Sequence, residues 1–143
     1  MPKRIHKDFH GLLNYGLKYL EENYGRKAVE YYLVQVADNV YGGLSKRIKK
    51  QGLKALKKHL KRIFDLEEAK YKIYNDGRRL LLEVRRCPAL EHMGKREYPV
   101  MKRFCECDGI ITKEICKNAG IELKIKYNQK KGSCIQEFWK DER

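Results

Sequence analysis

Apolar residues recur every three or four positions through the first half of the chain, which is the spacing of helices that bury one face. The pattern predicts three helices, over residues 5–24, 27–49 and 53–68. Gly25 follows the last periodic position of the first helix, where glycine is common. Gln51-Gly52 separates the second helix from the third. Gly42-Gly43 is expected to weaken or bend the second helix, because glycine is a poor helix former.

The apolar period then shortens to two, which is the spacing of strands. It predicts two hairpins, with strands over residues 71–74 and 79–86, then 121–127 and 133–139. Asn75-Asp76-Gly77 supports the first hairpin, because these residues tolerate the positive φ of tight turns. Between the hairpins we expect a short helical turn at residues 89–93 and a helix over residues 99–118, with Pro99 in its first turn.

Helices followed by antiparallel hairpins indicate an α+β protein, in which a sheet of about four strands carries the helices on one face. The 143 residues suffice for one core and contain no linker or repeat, so we expect a single domain over residues 1–143. No segment approaches the roughly 20 apolar residues of a membrane span. The N-terminus lacks the features of a secretory signal, so we expect a cytoplasmic protein. The long second helix could equally serve a homodimer.

The net charge of +14 is concentrated in one run, from Lys46 to Arg62, that contains no acid. Its basic residues are Lys46, Arg47, Lys49, Lys50, Lys54, Lys57, Lys58, Lys61 and Arg62. One interpretation is a nucleic-acid-binding face, since such residues neutralise phosphates. The other is a solvated face, which we favour because no aromatic residue is interleaved as in single-strand binders. Abundant lysine and glutamate with little serine or threonine are typical of a thermophile.

All five cysteines lie between Cys87 and Cys134, and residues 1–86 contain none. An odd number of cysteines favours free thiols, a metal site or a catalytic thiol over disulfides. A free cysteine is often a small buried hydrophobe, which is the interpretation we favour for Cys116. Cys87, Cys105 and Cys134 are expected to share a site, because element ends commonly carry functional residues.

Helical geometry constrains which cysteines can act together. On one helix, Cys105 and Cys116 face the same way, being eleven residues apart, while Cys107 points nearly oppositely. Cys107 is then either an exposed thiol without a role or, if the helix begins near Gly109, a participant. A four-thiol set could bind zinc or an iron–sulfur cluster; its members would be Cys87, Cys105, Cys116 and Cys134.

Histidines offer further chemistry. His92 follows Cys87 by five residues, and a helical turn would bring its imidazole back to the thiol as a nucleophile–base pair. His6 and His10 share a helix face as two metal ligands could, although His6 is near the terminus and His10 could point into the body. His59 is expected on the solvated surface.

Five segments carry a resemblance to a known family: FHGLLNYGLKYLEENYG, VRRCPALEHM, YPVMKRFC, ICKNAG and YNQKKGSCIQEFW. They resemble the small proteins grouped with L-2-amino-thiazoline-4-carboxylic acid hydrolase. They are more distantly similar to 4-vinyl-reductase-like domains, which bind small molecules. The recurring cysteines of this resemblance fall at Cys87, Cys105 and Cys134, whereas Cys107 and the basic charge are not part of it.

The resemblance implies hydrolysis of a carbon–nitrogen bond in a thiazoline-carboxylate-like substrate. A cysteine thiolate would add to the amidine-like carbon, with His92 handling protons and Arg85 or Arg86 pairing the carboxylate. Alternatively, thiolates would hold zinc, whose bound water is then the nucleophile. Three classes remain open: small-molecule processing or sensing, a metal-binding structural or regulatory module, and nucleic-acid binding.

Overall fold

Helices make up the first half of the chain, as the apolar period predicts, in a computed structural model that describes residues 6–141. They are α1 (Asp8–Tyr24), α2 (Arg26–Val40), α3 (Gly42–Gln51) and α4 (Leu53–Leu66). The single helix predicted over residues 27–49 is therefore two, because the backbone leaves helical geometry at Tyr41, directly before the glycine pair. The predicted start of the first helix, at residue 5, lies outside the described residues.

Two hairpins and two helices complete the chain. They are β1 (Lys70–Asp76), β2 (Arg79–Arg86), α5 (Pro88–Lys95), α6 (Phe104–Ala119), β3 (Ile121–Asn128) and β4 (Ser133–Lys140). The strands form one antiparallel sheet in the order β1-β2-β4-β3. Val84 pairs with Cys134, and Cys134 pairs with Tyr127, so these side chains share the sheet face that the helices cover. The predicted α+β class and four-stranded sheet are confirmed.

Two apolar clusters hold the layers together. The first joins β2 and β4 to α3, α4 and the C-terminal half of α6, with Phe138 and Leu82 fully buried. The second joins α1, α2 and α5 to the start of α6, with Leu17 and Met93 fully buried. Cys87 packs against both clusters, so its surroundings lie at the centre of the molecule. None of the helices within residues 6–141 is long and apolar enough to cross a membrane.

The start of α6 differs from the prediction, because the helix begins at Phe104 and not at Pro99. The buried Asn14 side chain donates to the Pro99 carbonyl at 2.8 Å and accepts from the Met101 N–H at 2.9 Å. Residues 99–101 are thereby held in a non-helical conformation by α1. A local pattern cannot reveal this clamp, since Asn14 is 85 residues away from Pro99.

Candidate functional site

The thiols of Cys87, Cys105 and Cys134 lie in one region between the sheet and the helices. Cys87 caps α5 directly after β2, Cys105 lies in the first turn of α6, and Cys134 lies near the start of β4. They are close enough for their charges to interact. Burial raises the pKa of Cys87 to about 11 and that of Cys105 to about 12, and repulsion within the group adds to both shifts. All three are therefore neutral thiols at neutral pH.

The Asp108 carboxyl stands beside these thiols at the centre of the molecule. Its side chain is exposed, yet groups of the helical layer (His10, Glu67) and of the sheet (Tyr127) interact with it. We infer that its exposed surface faces a void between the helices and the sheet. Burial raises the pKa of Asp108, with His10 opposing that shift and Glu67 adding to it.

His10 and Glu67 close this space from the helical side. The imidazole of His10 contacts the Glu67 carboxylate, and both side chains are nearly buried, at 12% and 8% exposure. His10 thus points into the body, as one of the two interpretations expected. We call the space that we infer among these side chains the central cavity; the groups assigned to its border are His10, Glu67, Asp108, Tyr127, Gln136 and the three thiols.

Two buried polar atoms on the sheet side of the central cavity have no hydrogen-bond partner among the residues the structure describes. They are the Tyr127 hydroxyl and Oε1 of Gln136. The other end of the Gln136 amide donates to the Cys134 sulfur at 3.7 Å. Burial raises the pKa of Tyr127, so its hydroxyl stays protonated. The cavity wall therefore presents one free donor and one free acceptor.

A surface cleft of about 460 Å³ opens beside Cys87. It is lined by Arg86, Cys87, Leu90, Glu91, Val100, Gln129, Lys130, Lys131 and Gly132. Arg86 forms an ion pair with Glu91, while Lys130 and Lys131 belong to the β3–β4 turn. Three cations against one acid make the cleft positive, which attracts anions. Arg85, the other predicted substrate-binding residue, faces the opposite side of β2 and does not line the cleft.

Gln129 links the cleft to the thiols. Its side-chain amide donates to the Met101 carbonyl at 3.1 Å and accepts from the Cys105 N–H at 3.1 Å. The β3–β4 turn is thereby fastened to the start of α6, which fixes where the Cys105 thiol points.

The histidine predictions are corrected by the structure. His92 does not turn back to Cys87; its ring pairs with Asp8 of α1 at 2.8 Å and stacks edge-on against Tyr98. His6 is exposed, and the partner of His10 is Glu67, so these two do not form a metal pair. His59 is half-buried, and burial lowers its pKa, with Arg62 and Arg47 adding to the shift.

Two cysteines lie away from the cavity. Cys107 was expected to be an exposed thiol unless it took part in the site. It is instead fully buried in the second cluster, and its sulfur accepts a hydrogen bond from Arg26 at 3.0 Å. Cys116 is buried in the first cluster, as favoured, and burial alone raises its pKa to about 12. Cys105 and Cys116 share a helix side, but eleven residues of rise separate them by about 16 Å along the axis.

The predicted four-thiol metal set is not assembled, because Cys116 lies about 16 Å along α6 from Cys105. Within residues 6–141, no group of three or more His, Cys, Asp or Glu side chains has an arrangement that could hold a metal ion. Zinc or iron–sulfur binding therefore remains a prediction without a geometric site.

Sequence reasoning missed Asp108, Tyr127 and Gln136. Asp108 did carry a spacing signal, since it follows Cys105 by three residues on α6 and so lies on the same helix side; its other neighbours, His10, Glu67 and Tyr127, come from distant elements. The strand residues also carried a signal: Tyr127 and Gln136 occupy inward positions of β3 and β4, where an apolar side chain is the rule. A polar residue at an inward strand position was therefore the sequence signal that could have identified Tyr127 and Gln136 as candidate site residues.

Comparison with protein-family models, with curated proteins and with solved structures finds no match for this chain. The resemblance to the thiazoline-carboxylate hydrolase group stays a prediction. Function is accordingly argued from the chemistry of the cavity and the cleft.

Proposed function

We propose that this chain is a small-molecule-binding protein whose ligand enters by the cleft at Cys87 and occupies the central cavity. The observation that carries the proposal is the pair of unpartnered polar atoms, the Tyr127 hydroxyl and Gln136 Oε1, on the wall that also holds the Cys134 thiol. Each such atom costs about 1–3 kcal/mol when it is left without a partner. A ligand that bonds to both recovers this free energy.

The charges around the cavity narrow the ligand class. The cleft carries Arg86, Lys130 and Lys131, which favour a carboxylate or another small anion. The interior offers the Asp108 carboxyl, which favours an N–H or cationic group. A small compound with an anionic end and an amidine-like end fits both, and a 2-aminothiazoline carboxylate has this form.

Hydrolysis is the reaction that the resemblance favours for such a ligand. Water adds to the amidine-like carbon, a carbon–nitrogen bond breaks, and the departing nitrogen takes a proton. The thiols of Cys87 and Cys105 are protonated at neutral pH, which disfavours attack by a thiolate and leaves water as the nucleophile and as the source of that proton. Asp108 would hold the amidine end by accepting its N–H groups.

Calorimetric titration with 2-aminothiazoline-4-carboxylate tests the proposal, with thiazolidine-4-carboxylate, which lacks the amidine, as the matched compound. We expect saturable binding of the first compound, at least about tenfold tighter than the second. Asp108→Asn should weaken it about tenfold, whereas Asp76→Asn on the exposed hairpin should not change it. Absence of binding at millimolar ligand, or equal binding by Asp108→Asn, would reject the proposal. Proton NMR of the same mixtures reports whether the ring is hydrolysed.

A further inference from the structure

The basic run from Lys46 to Arg62 occupies two consecutive helices that the central cavity does not use. Eight of its nine basic side chains are exposed on α3 and α4; they are Lys46, Arg47, Lys49, Lys50, Lys54, Lys58, Lys61 and Arg62. The ninth, Lys57, donates to Asn75 at 3.0 Å and fastens the β1–β2 turn to α4. We call these eight side chains the basic face.

The basic face is a single surface, because both helices bury their apolar sides against the same core. Leu44 and Ile48 of α3 and Leu56 of α4 belong to the first apolar cluster, and Gly52 joins the two helices. The half-buried ring of His59 interacts with Arg62 of its own helix and with Arg47 of α3. The charges of the two helices therefore meet across this ring.

Within residues 6–141, no acid pairs with a side chain of the basic face. Residues 46–62 include none, and in the described part of the chain none of the eight side chains forms an ion pair. The next acid along the chain, Asp65, accepts a hydrogen bond from the Tyr71 hydroxyl at 2.5 Å. Concentrating this many like charges costs stability through self-repulsion, and a bound polyanion removes that cost.

We propose that the basic face binds the phosphate backbone of a nucleic-acid duplex without reading its sequence. The 14 residues of α4 span about 21 Å. A duplex presents about twelve phosphates over that length, and roughly half of them face one side. Six phosphates match eight cations. The run contains no Phe, Tyr or Trp on which unpaired bases would stack, and the ring of His59 is half-buried.

The test is fluorescence anisotropy with labelled 20-base-pair DNA and RNA duplexes of random sequence, from 50 to 300 mM salt. We expect a dissociation constant of roughly 1–100 µM near physiological salt and a slope of log affinity against log salt of about −5. The two duplexes distinguish DNA from RNA as the target. No binding at 50 mM salt, or a slope near zero, would overturn the proposal.

A matched pair of triple variants separates the basic face from net charge. One variant is Lys54→Gln with Lys58→Gln and Lys61→Gln on α4. The other is Lys113→Gln with Lys124→Gln and Lys126→Gln, which lie on or beside β3. Strand β3 is one edge of the sheet, whereas α4 packs against β1 at the other edge. Both variants lose three positive charges at exposed positions. We expect the first to weaken binding about tenfold or more and to flatten the slope by about 3, and the second to leave both nearly unchanged. Equal losses would overturn the proposal, as would tighter binding to phosphatidylserine vesicles than to either duplex.

His59 supplies an independent measurement on the unmodified protein. The groups around its ring are Arg62 of α4, Arg47 of α3 and Tyr41 between α2 and α3. The negative charge of bound phosphates would offset the positive charge of the two arginines, so the pKa of His59 should rise in the complex. Proton NMR titration with and without duplex checks this, with the exposed His6 as the internal control. An unchanged His59 pKa at saturating duplex would place the duplex elsewhere.

Discussion

The Tyr127 hydroxyl lies so close to the backbone of Gly109 that a Cβ at residue 109 would overlap it. This contact joins β3 to α6 one residue after Asp108. It explains why glycine occupies a helical position where alanine would favour the helix by about 1 kcal/mol. The contact also holds the unpartnered hydroxyl against the backbone of α6.

Gly109→Ala is expected to destabilise the fold by about 1–3 kcal/mol, because the added methyl group must displace the Tyr127 ring. Urea unfolding measures this change. Gly94→Ala is the control, since a Cβ at that α5 position meets no atom within 4 Å. If both substitutions leave stability equal or improved, the close contact does not exist in solution.

Tyr127→Phe is expected to stabilise the ligand-free protein by about 1 kcal/mol, because it removes a buried hydroxyl that has no partner. Ligand affinity should fall in the same variant. Tyr74→Phe is the matched control. It should destabilise the protein, because the Tyr74 hydroxyl donates a hydrogen bond to Glu83 at 3.1 Å. Loss of stability in Tyr127→Phe would mean that a partner satisfies this hydroxyl.

Alkylation of Cys87 and Cys105 by iodoacetamide at pH 7 should be at least about 100-fold slower than that of a free thiol, because few thiolates form below a pKa of about 11. The rates should rise about tenfold for each pH unit up to pH 10. Mass spectrometry of the labelled peptides follows each site. A rate that levels off below pH 8 would contradict this and restore the thiolate nucleophile of the sequence-based hypothesis.

The same thiols should make stability depend on alkaline pH. Their folded pKa values, about 11 for Cys87 and about 12 for Cys105, exceed the value near 8.5 of an unfolded chain. The unfolded state therefore releases protons that the folded state keeps, and stability falls as pH rises from about 8.5 toward 11. Urea unfolding at pH 8 and pH 10 checks this. Cys87→Ser with Cys105→Ser should show a smaller loss between these pH values.

Asn14→Ala should destabilise the protein by about 1–3 kcal/mol, because the buried Met101 N–H loses its partner and residues 99–101 lose their clamp. Asn39→Ala removes only two exposed hydrogen bonds to Gln35 in the preceding helical turn and should change stability by less than about 0.5 kcal/mol. Thermal unfolding compares the two variants. Equal effects would show that the Asn14 clamp does not position the start of α6.

The sequence by itself determined the α+β class and the boundaries of most elements, because these follow from local periodicity. The hairpin at Asn75-Asp76-Gly77 is an example, since its turn residues and its alternating strands are adjacent in the chain. Helical spacing also predicted that Cys107 points away from Cys105, which agrees with the separate surroundings of the two thiols: Arg26 at Cys107, and Cys87 with Cys134 at Cys105. Spacing did not reveal that Cys107 is buried against Arg26, since that contact joins residues 81 positions apart.

Only the tertiary structure decided what surrounds the thiols. The sequence placed Cys87, Cys105 and Cys134 in one group, but their protonation depends mainly on burial between the helices and the sheet, with Asp108 adding to each shift. Asp108, Glu67 and Tyr127 reach the central cavity through the packing of α6 between helices and sheet. Electrostatic interaction and burial depend on distance in space, not along the chain, so no periodicity could have foretold neutral thiols where reactive thiolates were expected.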